Sequence, residues 1–256
     1  MTGNTRKPGV RRRQKVRKAL IIVSFLLFPV TFFYLSPFLI IQGASEGILV
    51  GSFIVFALMF LFSLFLGRAY CGWVCPAGGM QELCFKLRDK RAKGGRLNWI
   101  KYFIWAPWLA AIVAAAVRAG GLNEVDPFYQ TFYGISITGR QSLIVLAIVL
   151  LVIFVLAIAF GRRAFCHYGC WMSPFMVVGR KVGNALKWPS LHLVSEGEKC
   201  IDCKKCTRVC PMSLEVDAMV KAGKMESSEC ILCGMCVDNC PEDVISFAFR
   251  SKAHAG

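Results

Sequence analysis

The sequence predicts an α-helical membrane protein with four transmembrane helices in two hairpins, followed by a small α+β domain. Three observations carry this reading. The 256 residues are 56% hydrophobic with a mean hydropathy of +0.54, above the roughly 45–50% apolar share of ordinary soluble domains. Four apolar runs approach the roughly 20 residues needed to cross a bilayer. Eight of the 13 cysteines crowd into two short runs, CIDCKKCTRVCP at 200–211 and CILCGMCVDNCP at 230–241.

The first apolar run is 19–41, ALIIVSFLLFPVTFFYLSPFLII, and the second is 48–66, ILVGSFIVFALMFLFSLFL. The third, 99–117, contains Lys101, whose ammonium is expected to snorkel to the interface, where Trp99, Tyr102 and Trp105 suit a headgroup belt. The fourth is 141–160, QSLIVLAIVLLVIFVLAIAF. Pro29, Pro37 and Pro107 are expected to kink these spans without forbidding them. The first run exceeds the roughly 7–15 residues of a signal-peptide apolar region, so it is expected to stay.

The formal charge of +16 does not point to nucleic acid. Residues 200–256 carry 7 Lys+Arg against 8 Asp+Glu, while residues 1–199 carry 24 against 7, so the excess lies beside the apolar runs. Residues 1–18 hold eight Lys+Arg, 43–47 none, 67–98 seven, 118–140 two and 161–199 six. That alternation places both termini on the cytoplasmic side of the cell's inner membrane in a multi-pass topology, and a basic rim suits an anionic lipid surface. The expected organisation is a basic N-terminal segment (1–18), a four-span membrane domain (19–189) and a cytoplasmic domain (190–256). In that compartment thiols stay reduced and bind metal rather than pair.

Each tail run reads CxxCxxCxxxCP, the spacing of the bacterial two-cluster pattern for 4Fe–4S centres. Three closely spaced cysteines wrap one corner of a cubane, and the fourth ligates the other cluster. Cys200, Cys203, Cys206 and Cys240 are therefore expected to hold one cluster, and Cys230, Cys233, Cys236 and Cys210 the second. Zinc sites instead space two CxxC pairs by a longer linker. Pro211 and Pro241 turn the chain away, and Gly234 lets backbone amides approach cluster sulfur. The tail thus resembles a bacterial-type ferredoxin domain.

An internal repeat links the two hairpins. GRAYCGWVCPAGGM follows the second run and RRAFCHYGCWMSPFM the fourth, so Cys71 and Cys75 correspond to Cys166 and Cys170 at an offset of 95. At i, i+4 on a helix each pair would share one face, and the two pairs together would offer four thiols to a further Fe–S cluster or another metal. Packing as small buried residues and redox or persulfide chemistry at the thiols are the alternatives. Cys84 has no counterpart and reads as structural. His167 lies inside the second pair, as a ligand, a proton relay or a polar tip at the headgroups, while His192 and His254 look incidental. Glu124 and Asp126, in the longer outer loop, suit a solvated loop, a docking surface or a quinone-headgroup site. The chain has neither a CxxCH haem attachment nor a GxGxxG nucleotide loop after a strand.

Four spans, a CxxxC motif after the second and fourth, and the two-cluster tail together resemble the NapH-type membrane ferredoxins. That family includes quinol dehydrogenase subunits of periplasmic nitrate reductase systems and MauN-like proteins, and is related to the membrane parts of NosR-like and CcoG-like proteins. The family motif is CxxxCP. CGWVCP matches it through Pro76, whereas CHYGCW has Trp171 in that place and Pro174 three residues later. The resemblance implies electron transfer between the quinone pool and partner redox subunits, cytochromes or iron–sulfur proteins. An accessory copper reductase and a membrane redox sensor or assembly factor are the other functions such a chain would serve, although the nine Met do not cluster into a copper-binding stretch.

Overall fold

The computed structural model describes residues 8–251, with side chains from residue 12 onward. The first seven residues of the basic segment and His254 lie outside the described residues.

Helix α1 (Pro8–Leu26) carries the basic stretch directly into the first apolar run. The expected first span, 19–41, is not one helix. Pro29 lacks an N–H and its ring collides with the carbonyl four residues back. The chain therefore leaves α1 at Leu26, forms a short α2 (Phe28–Thr31) and a 3-10 turn (Phe33–Leu35), and starts again as α3 (Pro37–Ser45). Ser36 caps α3, its Oγ accepting from the Leu39 N–H at 3.4 Å, and Pro37 takes the first helical position, where no N–H is needed.

The expected second span begins as a strand, β1 (Ile48–Val50), and continues as α4 (Gly51–Leu66). At 16 residues α4 is about 24 Å long, short of a hydrocarbon core of about 30 Å. Two short helices follow, α5 (Ala69–Trp73) and α6 (Pro76–Cys84). Two helices among the described residues are long and apolar enough to cross a membrane. They are Gly95–Arg118, a 3-10 turn leading into α7 (Ile100–Arg118), and α8 (Arg140–Phe160), with mean hydropathies of 1.7 and 3.6. Only 11% and 17% of their apolar windows are buried, so they present Leu, Ile and Val outward over most of their length. Exposed apolar area of that extent marks a membrane or partner contact.

The two outer loops meet. Strand β2 (Glu124–Asp126) pairs in parallel with β1 in the register Ile48↔Glu124 to Val50↔Asp126, and the Gly47 carbonyl accepts from Asn123 N–H at 2.8 Å. Glu124 is exposed on β2, and Asp126 Oδ1 accepts from Phe128 N–H at 2.9 Å, a local turn contact. After α8 come α9 (Ala164–Tyr168) and α10 (Met172–Ala185). Helix α10 packs along α4, and Gly179 permits this: a Cβ there would stand 1.9 Å from Ser63 Oγ and 2.8 Å from the Phe60 carbonyl.

In the tail, β3 (Ser190–Ser195) and β4 (Ile245–Arg250) form an antiparallel pair. Between them lie α11 (Lys205–Val209), α12 (Val216–Lys221) and α13 (Met235–Asn239). The 30-residue repeat recurs in the backbone. Asp202 and Leu232, Lys204 and Gly234, and Ser213 and Asp243 all take left-handed conformations at matching positions. The tail packs on the hairpins through α1, where Arg13 pairs with Asp238 and Gln14 Nε2 donates to the Cys233 carbonyl at 3.0 Å.

Candidate metal centres

The tail cysteines surround two cavities, and the partition is the crossed one. One is lined by Cys200, Cys203, Cys206 and Cys240, with Pro241, Val220 and Val244 behind them. The other is lined by Cys210, Cys230, Cys233 and Cys236 among Pro211, Ile231 and several methionines. Each motif thus sends its fourth cysteine to the opposite group, because the residue before proline is driven out of the helical region and both Cys210 and Cys240 are extended at the end of their helices. Among the described residues no group of three or more His, Cys, Asp or Glu closes on a single-ion position; the sulfurs ring a space. Soft anionic donors in an apolar pocket suit iron–sulfur clusters, so the residues present fit such a group at both places.

The four cysteines beside the apolar helices also converge. Cys71, Cys75, Cys166 and Cys170 are each 2–3% exposed and close enough to influence one another electrostatically. The contacts cross between the repeats: Cys71 Sγ approaches Met176 Sδ at 3.9 Å, while the residue equivalent to Met176, Gln81, donates to Cys166 Sγ at 3.3 Å. Neither pair occupies a single helical turn, contrary to the i, i+4 expectation. Cys71 lies in α5 and Cys75 caps α6 in an extended conformation imposed by Pro76. Cys170 likewise falls in the break between α9 and α10, and Pro174 sits in the first turn of α10, so the second motif makes the same break without a proline at 171. Burial, reinforced by the neighbouring sulfurs, pushes Cys170 up to about 12 and lifts Cys75 well above the ordinary thiol value. As free thiols they would be protonated and poor nucleophiles, which disfavours thiol chemistry. Cys84 is buried at the end of α6, as a structural residue would be.

Around this quartet lies a set of buried charges. Arg17, Arg68, Lys101 and Arg163 are at most 3% exposed. Glu82 accepts from Arg17 at 2.8 and 2.9 Å and from Arg163 at 2.6 Å. Glu229 accepts from Arg68 at 2.9 Å and from Lys101 at 2.6 Å. Burial works against ionising both carboxyls, yet the two cations beside each outweigh it and hold them below their ordinary range. Lys101 therefore does not snorkel to an interface; a carboxylate from the tail meets it inside. The sequence held signals for this. Arg68 and Arg163 are repeat mates at offset 95, and Glu82 is the sole acid between Glu46 and Asp89.

Residues 228–233 join the tail to this quartet. Arg68 Nη1 donates to the Ser228 carbonyl at 2.8 Å and Trp73 Nε1 to the Leu232 carbonyl at 3.1 Å. Gly72 makes the approach possible: a Cβ there would stand 2.3 Å from the Ile231 carbonyl oxygen. Gly72→Ala is expected to cost about 1–3 kcal/mol through overpacking, measured by chemical denaturation, and to open 228–233 to limited proteolysis. His167 lies with Nδ1 2.9 Å from Asn98 Oδ1 and Nε2 3.1 Å from the Met212 carbonyl. Burial lowers it to about 4; the neutral ring has a single N–H to donate and keeps one acceptor nitrogen. His192 is not incidental, being buried between Arg180 and Ser190.

Comparison with known proteins agrees with this layout. A family model described as a 4Fe-4S binding domain matches residues 48–94 and again 142–189, the two halves of the hairpin repeat. A model described as a 4Fe-4S dicluster domain matches 192–241. An uncharacterized protein of Methanocaldococcus jannaschii is 26% identical, covering 93% of this chain and 96% of that protein. The ferredoxin-type protein NapH of Haemophilus influenzae is 28% identical over 78% of this chain and 69% of its own length. The methylamine utilization ferredoxin-type protein MauN of Methylobacillus flagellatus is 27% identical over 69% of this chain and 60% of its own. No solved structure matches the chain. With matching models across both hairpins and the tail, and relatives aligned along most of its length, the chain belongs to the NapH/MauN-type family of ferredoxin-like iron–sulfur proteins, which is related to NosR.

Proposed function

We propose that this protein is a membrane-bound electron relay. It would hold one 4Fe–4S cluster on Cys200, Cys203, Cys206 and Cys240, a second on Cys230, Cys233, Cys236 and Cys210, and a third iron–sulfur centre on Cys71, Cys75, Cys166 and Cys170. The clusters supply one-electron transfer; the protein supplies position, insulation and potential. The observation that carries this reading is the contact of residues 228–233, next to the second tail quartet, with Arg68, Gly72 and Trp73, next to the hairpin quartet. Three groups of four thiols then form one series, buried at the hairpins and partly buried at the first tail quartet.

Charge supports the third centre. The cage of Arg17, Arg68, Lys101 and Arg163 against Glu82 and Glu229 has two cations in excess. Buried charge needs compensation. Four neutral thiols provide none, whereas a 4Fe–4S core on four thiolates carries about two negative charges. The electron partner in the lipid is a quinone. An apolar cavity of about 580 Å³ opens between Phe62 and Leu66 of α4, Tyr70 and Trp73 of α5, and Phe247 of the tail, with Arg13 as its cation. It adjoins both the hairpin quartet and Leu232 beside the second tail quartet, and burial keeps the Tyr70 phenol neutral as a donor. Four membrane crossings with cytoplasmic termini, partner redox subunits beyond the tail, and an inner-membrane location complete the proposal.

Anaerobic purification in detergent with iron and sulfide analysis tests it. About twelve irons per chain, with clusters that added quinol reduces by one electron to an EPR-visible state, is the expected result. About eight irons would remove the third centre, and iron-free protein would sink the relay.

A further inference from the structure

Beside the second tail quartet lies a cavity of about 410 Å³ that electron relay leaves unexplained. It is bounded by Gly67 at the end of α4, by one face of α10, by β3 and by the loop 225–232. The α10 face brings Arg180, Lys181 and Asn184 to it, and the loop brings Ser227 and Ser228. Arg180 is incompletely satisfied. Its Nη2 bonds to His192 Nδ1 at 2.6 Å, its Nε is 3.7 Å from Glu226, and its Nη1 has no hydrogen-bond partner. Asn184 donates to Glu226, while its Oδ1 has no partner.

We propose that this cavity binds a phosphate-class oxyanion. The Arg180 Nη1 group, an ammonium and two hydroxyls match the several acceptor oxygens of a phosphate. The Asn184 oxygen and the Glu226 carboxylate add acceptors suited to a hydroxyl or ammonium on the same ligand. The volume suits a small molecule more than a bare ion. Outside the cavity lining, Val182 and Leu186 on α10 are exposed, and Trp188 stacks on Phe65 of α4 with centroids 5.6 Å apart. A phospholipid headgroup and free phosphate offer this cavity the same oxyanion.

Cys230 lines this cavity and the second tail cavity alike. A bound oxyanion therefore disfavours adding an electron at that centre, a consequence that rests on the relay reading, whereas the binding does not.

The test uses the full chain in detergent, with its iron content measured in the same samples. Equilibrium dialysis with radiolabelled inorganic phosphate and native mass spectrometry after exchange into phosphatidylcholine nanodiscs, with or without phosphatidylglycerol, separate the two sources. The expected result is about one phosphate or one retained phospholipid per chain, each displacing the other. Arg180→Gln is expected to weaken it by about tenfold or more with iron unchanged. Lys181→Gln, on an exposed residue, serves if Arg180→Gln fails to fold, and is expected to weaken binding in the same direction. Iron-replete wild type that retains neither ligand overturns the site, as do variants that bind like wild type. Iron-free protein that still binds phosphate would sink the relay and leave the site standing.

Discussion

Cys210→Ala is expected to remove the centre whose other ligands lie at 230–236, leaving intact the one that shares its own motif. Cys210 lies among Cys230, Cys233 and Cys236 around one cavity, while Cys240 joins the first motif around the other. Iron content separates this from local pairing without assigning any spectrum. Cys210→Ala and Cys233→Ala remove the same group, so the double variant loses about four irons, as each single one does. Cys210→Ala with Cys203→Ala strikes both groups and loses about eight. If each motif served its own cluster, the two outcomes would exchange. The effect is large because a thiolate ligand has no substitute in these pockets. Pro211, Met212 and Ile231 around Cys210 offer no anionic donor, and methionine is at most a weak ligand.

The grouping of the tail cysteines around two cavities is the one that the CxxCxxCxxxCP spacing predicts. The hairpin repeat is legible too: offset 95 relates Cys71 with Cys166, Cys75 with Cys170 and Arg68 with Arg163, and contacts cross between the copies, Cys71 with Met176 and Gln81 with Cys166. Other features were hidden. Hydropathy read 19–41 as one span because it weighs side chains, whereas Pro29 and Pro37 act on the backbone. It read 48–66 as one helix although Ile48–Val50 is drawn into a strand by β2, some 75 residues on in sequence. Lys and Arg counts treat Arg17, Arg68 and Arg163 as rim charges, and hydropathy sends Lys101 to the interface, yet all four are buried. Counting cannot see burial, which depends on Glu82 and Glu229 arriving from elsewhere in the chain. The i, i+4 placement of Cys71 and Cys75 fails at Pro76, a local signal.

Glu229→Gln is expected to be the most destabilising single change outside the cysteines. The amide keeps the shape of the side chain but leaves Arg68 and Lys101 sharing a buried site with no anion, and breaking a buried pair on one side costs about 3–5 kcal/mol. The contrast is Glu196→Gln, whose partner Lys199 is largely exposed; denaturation of that variant should match wild type. The pH dependence gives a second readout. Glu229 is held below its ordinary value of 4.5 by Arg68 and Lys101 against the opposing effect of burial. A depressed carboxyl contributes stability above its unfolded value and loses it as pH falls through the folded one. Wild type should therefore lose stability as pH drops below about 4.5, and Glu229→Gln should lose less over the same interval, since its amide does not titrate. Adding Lys101→Met tests the cause. If an orphaned ammonium makes the variant unstable, replacing it with an apolar side chain of similar length recovers part of the loss; if the damage is lost shape at residue 229, the second change adds to it. Recovery would also show that Glu229 is placed to satisfy two cations at once, which is what ties the second tail quartet to the hairpin quartet through one carboxylate.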